Sequence, residues 1–158
     1  MATPHIADLI SLANRLVHAG QLERARTVCE QAVAAYPSHP AIQQTLAQLD
    51  LQAEQHAQAA AHAALSLKLR PDHVPTLLLL GEAASAQRDL GVASQALERA
   101  VALAPGQAGA WFKLARVRQD LGDVAGAVQA LERVLALDAA RADARLNLDL
   151  LSQLPKPG

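Results

Sequence analysis

The sequence predicts an all-α protein built from short helix pairs that recur along the chain. Among its 158 residues are 36 alanines and 27 leucines, but only one tryptophan, one tyrosine and one phenylalanine. Small and unbranched side chains of this kind favour close helix packing over strands. Pro37, Pro71 and Pro105 lie 34 residues apart, a spacing that indicates a repeat. Residues of similar size also recur at fixed places within this period.

Four blocks align at this period. They span residues 6–39, 40–73, 74–107 and 108–141. The seventh residue of every block is leucine, the eighth is alanine or glycine, and the twentieth is alanine. Small residues at such places let two antiparallel helices approach closely. Each block is therefore predicted to be a helix–turn–helix of two amphipathic helices.

Glycines and prolines mark the predicted helix ends. Gly20 and Gly122 lie between the two helices of their blocks, where the positive φ of a helix end suits glycine. The three periodic prolines end the second helix of a pair, because proline lacks an N–H and restricts the residue before it.

A last helix is predicted to cap the stack. Residues 142–154 have leucines at helical spacing, and Leu146, Leu150 and Leu154 form one stripe. Deleting this stretch should expose the apolar face of the last pair, because neighbouring repeats bury each other's faces. We therefore expect one domain over 1–158, with 155–158 as a short tail.

At this period and with these columns, the chain resembles the tetratricopeptide repeat (TPR) family. The family signature Trp-x-x-Leu-[Gly/Ala] reads Trp111-Phe-Lys-Leu114-Ala115 in this sequence. The resemblance covers about 6–141, and 142–154 is similar to the family's capping helix. It implies a right-handed superhelix of about nine helices, with the first helix of each pair on the concave side.

The second block departs most from the family pattern. Gln43 takes the place that Trp111 takes in the fourth block, and Asp50 takes a place that is usually apolar or aromatic.

Composition and motifs argue against several functions. The formal net charge of −1 is unlike that of nucleic-acid binders. The single cysteine, Cys29, can form no internal disulfide and falls in an interior column, so we interpret it as a buried small hydrophobe. The six histidines lack metal-ligand spacing and are expected to be solvated surface groups. We predict no enzyme activity, cofactor or metal.

No targeting or membrane segment is expected. The N-terminus lacks a basic region, and the apolar run Leu77–Leu80 is far too short to span a bilayer. We expect a cytoplasmic protein, provided that the chain is not cut from a longer one. The bias to arginine, 11 against 3 lysines, fits a GC-rich bacterial gene.

One subset of the family binds the C-terminal carboxylate of chaperone tails through a clamp of asparagine and basic residues. Only Asn14 matches a clamp position in this sequence. The other positions hold Ile10, Thr45, Pro75 and Leu79, none of which can hold a carboxylate. Binding of this kind is therefore not expected.

The resemblance also implies which residues face the concave groove. The polar end consists of Asn14, Gln44, Gln48 and Gln52, and the apolar end consists of Leu78, Leu79, Phe112, Leu146 and Leu150. From these positions we select as binding residues Asn14, Gln44, Gln48, Leu78, Leu79, Glu82, Phe112, Lys113, Arg116 and Asn147.

This groove predicts a protein partner: a peptide or amphipathic helix with apolar anchors and an acidic group near Lys113 and Arg116. Two alternatives stay open for the apolar end. Leu78 and Leu79 could pack against the next block or the cap, and a second copy of the chain could be the ligand.

Two functions are compatible with these features. The first is a non-catalytic scaffold that holds protein partners in its groove. The second is a recruitment or regulatory domain attached to a larger bacterial enzyme such as a transferase, for which the tail 155–158 would be an exit linker.

Overall fold

The computed structural model describes residues 4–155, and nine α-helices and no strand are found in that range. The helices are α1 Ile6–His18, α2 Leu22–Ala35, α3 Pro40–Gln52, α4 His56–Leu69, α5 Val74–Ala86, α6 Leu90–Leu103, α7 Ala108–Asp120, α8 Val124–Leu137 and α9 Ala142–Ser152. Most of the predicted tail, 156–158, lies outside the described residues. The all-α prediction is confirmed.

The helices form pairs, and the pairs stack into a superhelix. Each first helix packs on its own second helix, and each second helix packs on the first helix of the next pair. First helices also contact each other from pair to pair, in the sequence α1, α3, α5 and α7. Second helices make no comparable contacts in the described part of the chain. The first helices therefore lie on the inner, concave side.

The turn inside each pair has one residue with a left-handed backbone. Gly20 and Gly122 adopt φ values of +72° and +80°, as predicted. Glu54 and Arg88 occupy the same place in the middle blocks, with φ of 59° and 63°. In all four turns the next N–H bonds to a carbonyl five residues back, as from Gln55 to Asp50. These are Schellman turns. In two of them the left-handed residue is not glycine, although L-residues rarely adopt this conformation.

The core is made of small residues at the predicted close-contact columns. The twentieth residue of each block is 0% exposed in all four blocks: Ala25, Ala59, Ala93 and Ala127. The leucine column is less uniform, because Leu12 is 36% exposed whereas Leu114 is 0% exposed. Leu12 lies in α1, which no earlier described helix covers.

Gln43 takes over one role of tryptophan in the second block. Its Nε2 donates a hydrogen bond to the carbonyl of Pro37 at 3.1 Å. Trp111 Nε1 donates to the carbonyl of Pro105 at 2.9 Å. The two side chains therefore tie the start of a first helix to the preceding proline turn in the same way.

The capping helix is shorter than the predicted range 142–154. It ends at Ser152, and the N–H groups of Gln153 and Leu154 bond three residues back, in a tighter turn. Pro155 follows and disfavours helical backbone at Leu154.

Candidate functional site

The polar end of the concave face is partly occupied by contacts within the chain. Asn14 is exposed, and its Oδ1 accepts a long hydrogen bond of 3.5 Å from the hydroxyl of Thr45. Gln44 is half-buried and accepts a hydrogen bond from Arg70 Nη2 at 3.2 Å. Gln48 is also half-buried. Asn14 lies on α1, and Gln44 and Gln48 lie on α3. The side-chain oxygens of Asn14 and Gln44 already accept hydrogen bonds from the chain itself, which leaves their NH2 groups as the donors that a partner could use.

The two groove leucines of α5 are only partly accessible to a partner. Leu78 is half-buried and packs against two core clusters, at the α5–α6 and α6–α7 contacts. Leu79 is half-buried and packs against neither of them. The packing alternative therefore fits Leu78 better than Leu79.

Phe112 and Asn147 lie where the fourth block meets the cap. Both are half-buried, and Phe112 packs against the core cluster shared by α7, α8 and α9. The guanidinium carbon of Arg141 lies 4.7 Å from the centroid of the Phe112 ring, within cation–π range. The phenyl ring is thus covered on one side by a residue of the chain itself.

An exposed apolar stripe runs along α9 and into the turn that follows it. Leu146, Leu150 and Leu154 are 59%, 54% and 49% exposed. By the repeat period they correspond to Phe112, Arg116 and Asp120 of α7, so they extend the concave face by one helix. Leu148 and Leu151 of the same helix pack inward on the last pair.

A pocket of about 400 Å³ opens between α5 and α7. Its apolar wall includes Gly81, Leu97 and Val117. Gly81 is needed here, because a Cβ at this position would lie 2.6 Å from Cγ of Leu97. Three of the predicted groove residues, Glu82, Lys113 and Arg116, line the pocket.

Charged side chains surround this pocket. Lys113 Nζ lies 3.0 Å from Glu82 Oε2, and Arg88 Nη1 lies 3.1 Å from Asp120 Oδ2. Both pairs cross from the third block to the fourth. Arg116 lies on α7 between Lys113 and Asp120 and is exposed.

Two polar residues of this pocket lie outside the groove positions that the family resemblance implies. His56 is the first residue of α4, and Arg88 is in the turn after α5. Neither belongs to the body of a first helix, so the repeat alignment carried no signal for them. Arg88 lies two residues beyond the end of α5, and His56 begins α4, which packs on α5.

Cys29 has the surroundings of a structural residue. It is 1% exposed, and burial raises the pKa of its thiol to about 11. A thiol with a raised pKa holds little thiolate at neutral pH, so it is a poor nucleophile.

His5 and His18 are exposed, as the prediction of solvated surface histidines requires, whereas the other four histidines are only partly accessible to solvent. His62 Nδ1 lies 2.6 Å from Asp50 Oδ2, and His73 Nδ1 lies 2.8 Å from the hydroxyl of Thr76. Burial, helped by nearby Arg70, lowers the pKa of His73. The His62 ring thus links α4 to α3, whereas the His73 ring bonds to the first turn of α5. Within residues 4–155, no group of three His, Cys, Asp or Glu side chains could hold a metal ion.

No helix in the described range combines the length and apolar character that a membrane crossing requires.

Comparisons with known proteins agree with this architecture. Two family models described as tetratricopeptide repeat match residues 6–49 and 80–151. A comparison with curated protein sequences finds no significant match.

Three solved structures illustrate the similarity. MamA (41-end) from Desulfovibrio magneticus RS-1 superposes with a TM-score of 0.86 at 20% identity, covering 96% of this chain and 86% of its own. YrrB, described as a TPR protein with an unusual peptide-binding site, gives 0.83 at 22% identity, covering 90% and 74%. PilF of Pseudomonas aeruginosa gives 0.81 at 20% identity, covering 92% and 67%. At these identities the likeness establishes the fold, and together with the two family models it shows that the chain belongs to the tetratricopeptide repeat family.

Proposed function

We propose that this chain is a non-catalytic scaffold that binds a segment of another protein along the C-terminal half of its concave face. The observation that carries this proposal is the exposed stripe formed by Leu146 and Leu150 of α9 and by Leu154 in the turn that follows it. Three leucines, each about half exposed and in line, form an apolar surface of the kind that marks interaction sites.

The stripe suits an extended or helical segment with apolar side chains at regular spacing. Such a segment would lie against α9 and reach the charged residues of α7, where Arg116 is exposed. The polar end contributes less, because Gln44 is held by Arg70. The peptide-binding site described for YrrB supports a peptide ligand by analogy alone.

Selection from a library of random 16-residue peptides tests the proposal. Peptides that bind the chain should carry leucine-like anchors, and Leu150→Asp should weaken them at least about tenfold, since burying a carboxylate against an apolar partner is costly. Leu69→Asp is the matched control, because Leu69 is 56% exposed, like Leu150 at 54%, but lies at the end of α4, a second helix.

Equal losses in the two variants would contradict the proposal. Light scattering, which measures the oligomeric state, tests whether a second copy of the chain occupies the stripe. A dimer that dissociates in the Leu150→Asp variant would assign the stripe to that second copy instead. A recruitment domain of a larger bacterial enzyme would use the same face, so the peptide experiment applies to that function as well.

A further inference from the structure

We propose that the pocket between α5 and α7 binds a carboxylate through the guanidinium of Arg116. This inference rests on the proposed function and deepens it, because it names a chemical group of the bound segment and the place where that group lies.

Both acidic residues on the rim of the pocket form ion pairs within the chain. Glu82 is paired with Lys113 at 3.0 Å, and Asp120 is paired with Arg88 at 3.1 Å. Both carboxylates are therefore already partnered, and each has a cation of its own.

One cationic side chain on the rim is left without an acidic partner. The rim has three cationic side chains and two anionic ones. Arg116 is the third cation, and within residues 4–155 its side chain makes neither an ion pair nor a hydrogen bond to another residue. A guanidinium presents several N–H donors in a planar fork that matches a carboxylate. The pocket therefore has one uncompensated positive charge suited to this group.

The wall of the pocket also contains uncharged polar residues. The ring of His56 lines the pocket, but its Nδ1 is buried and cannot be reached by an occupant. Ser85 adds a half-buried hydroxyl group. The Ser85 hydroxyl makes no hydrogen bond to another side chain or to the backbone within the described residues, so it can donate one to a carboxylate oxygen of an occupant.

The pocket is larger than a carboxylate group. A volume of about 400 Å³ exceeds what a bare carboxylate fills, and the wall of Gly81, Leu97 and Val117 is apolar. The occupant should therefore carry hydrocarbon next to its carboxylate, as a glutamate side chain or a C-terminal apolar residue does. Interactions with charge are also stronger beside an apolar wall than in open water.

The site differs from the carboxylate clamp of chaperone-tail binders. Apart from Asn14, the clamp positions hold residues such as Pro75 and Leu79, which cannot ligate a carboxylate, and Asn14 lies in the first block. Arg116 lies on α7, in the fourth block.

An NMR titration of the full chain with three small probes tests the inference. N-acetyl-glutamate α-amide offers a side-chain carboxylate, N-acetyl-leucine offers a chain-end carboxylate, and N-acetyl-glutamine α-amide is the neutral analogue. At least one carboxylate should cause saturable shifts at Ser85, Arg116 and Val117, and the neutral probe should not. Tighter binding of N-acetyl-glutamate α-amide would indicate a glutamate side chain of the partner, and tighter binding of N-acetyl-leucine would indicate the partner's C-terminus.

Matched variants complete the test. Arg116→Gln should weaken the carboxylate probe at least about tenfold, since hydrogen bonds to charged groups are the strong ones. Arg145→Gln removes the same charge from an exposed residue of α9 outside the pocket and should change nothing. Equal binding of the neutral probe, shifts located elsewhere, or full binding by Arg116→Gln would overturn the inference.

The outcome is separable from that of the proposed function. The Leu150→Asp variant should no longer bind the library peptides but should still bind the carboxylate probe. Peptides that bind the α9 stripe while no carboxylate probe binds the pocket would refute this inference and leave the scaffold proposal standing.

Discussion

Arg26 Nη2 of α2 lies 3.0 Å from Oδ1 of Asp50 on α3, and that carboxylate is completely buried. The other oxygen of Asp50 lies 2.6 Å from His62 Nδ1 on α4. One acidic side chain thus joins three helices and connects the first pair to the second. This explains how an acid can stand at a place that is usually apolar or aromatic: the neighbouring blocks supply its partners.

We predict that Arg26→Met lowers the free energy of unfolding by about 3 kcal/mol, because removing one partner leaves a buried carboxylate poorly compensated. Arg24→Met is the matched control, since Arg24 is exposed on the same helix and bonds only to nearby Gln21. It should change stability by about 0.5 kcal/mol at most. Urea denaturation measures both.

A second substitution separates charge from packing. Adding Asp50→Leu to Arg26→Met should restore much of the loss, because apolar residues of suitable volume often replace a buried ion pair at little cost. A double variant less stable than Arg26→Met alone would show that Asp50 contributes mainly through its shape and its contact with His62.

The sequence was informative wherever the fold depends on periodic local features. The alanine columns, the glycine turns and the helix pairs follow from spacing alone, since each is repeated in several blocks. Asp50, His62 and Gln43 depend on contacts between blocks, and a single sequence shows them only as departures from the pattern. The pocket is harder still to predict, because His56 and Arg88 reach it from a helix start and a turn.

Glu54 gives a prediction about backbone strain. Its φ of 59° is a left-handed conformation that costs an L-residue about 1–2 kcal/mol. Glu54→Gly should therefore raise the free energy of unfolding, by about 1 kcal/mol once the flexibility of glycine in the unfolded chain is counted.

The matched control for this prediction is Glu132→Gly, because Glu132 is an exposed residue inside α8. Glycine there should cost about 1 kcal/mol through loss of helix propensity. Thermal denaturation of the two variants should shift in opposite directions. Equal destabilisation would mean that the turn tolerates glutamate without strain.

Asp143 gives a prediction about pH. A hydrogen bond from Arg141 is the largest of the effects that lower the pKa of this carboxyl from 3.8 to about 2. A pKa lowered in the folded state stabilises the protein above the unfolded value, and this contribution is lost as pH falls from about 4 through about 2. An NMR titration of the carboxyl carbon should place the midpoint near pH 2 in the folded chain.

Arg141→Gln should return that midpoint towards 3.8, since it removes the hydrogen bond that lowers it. Arg145→Gln, on the same helix, should leave the midpoint unchanged. A titration near 3.8 in the unaltered chain would contradict the pairing. Because Asp143 is exposed, the effect on overall stability should be small.

Leu151 and Leu150 are neighbours on α9 that should respond very differently to truncation. Leu151 is 5% exposed and packs on the last pair, so Leu151→Ala should cost about 2–3 kcal/mol through lost burial and a cavity. Leu150 is 54% exposed, and Leu150→Ala should cost about 0.5 kcal/mol at most. Urea denaturation of the two variants measures the difference, and deletion of everything after Arg141 should exceed both losses. If Leu150→Ala were as costly as Leu151→Ala, the stripe would be packed in solution. The α9 leucines would then be unavailable to a partner, so this stability measurement also tests the surface on which the proposed function depends.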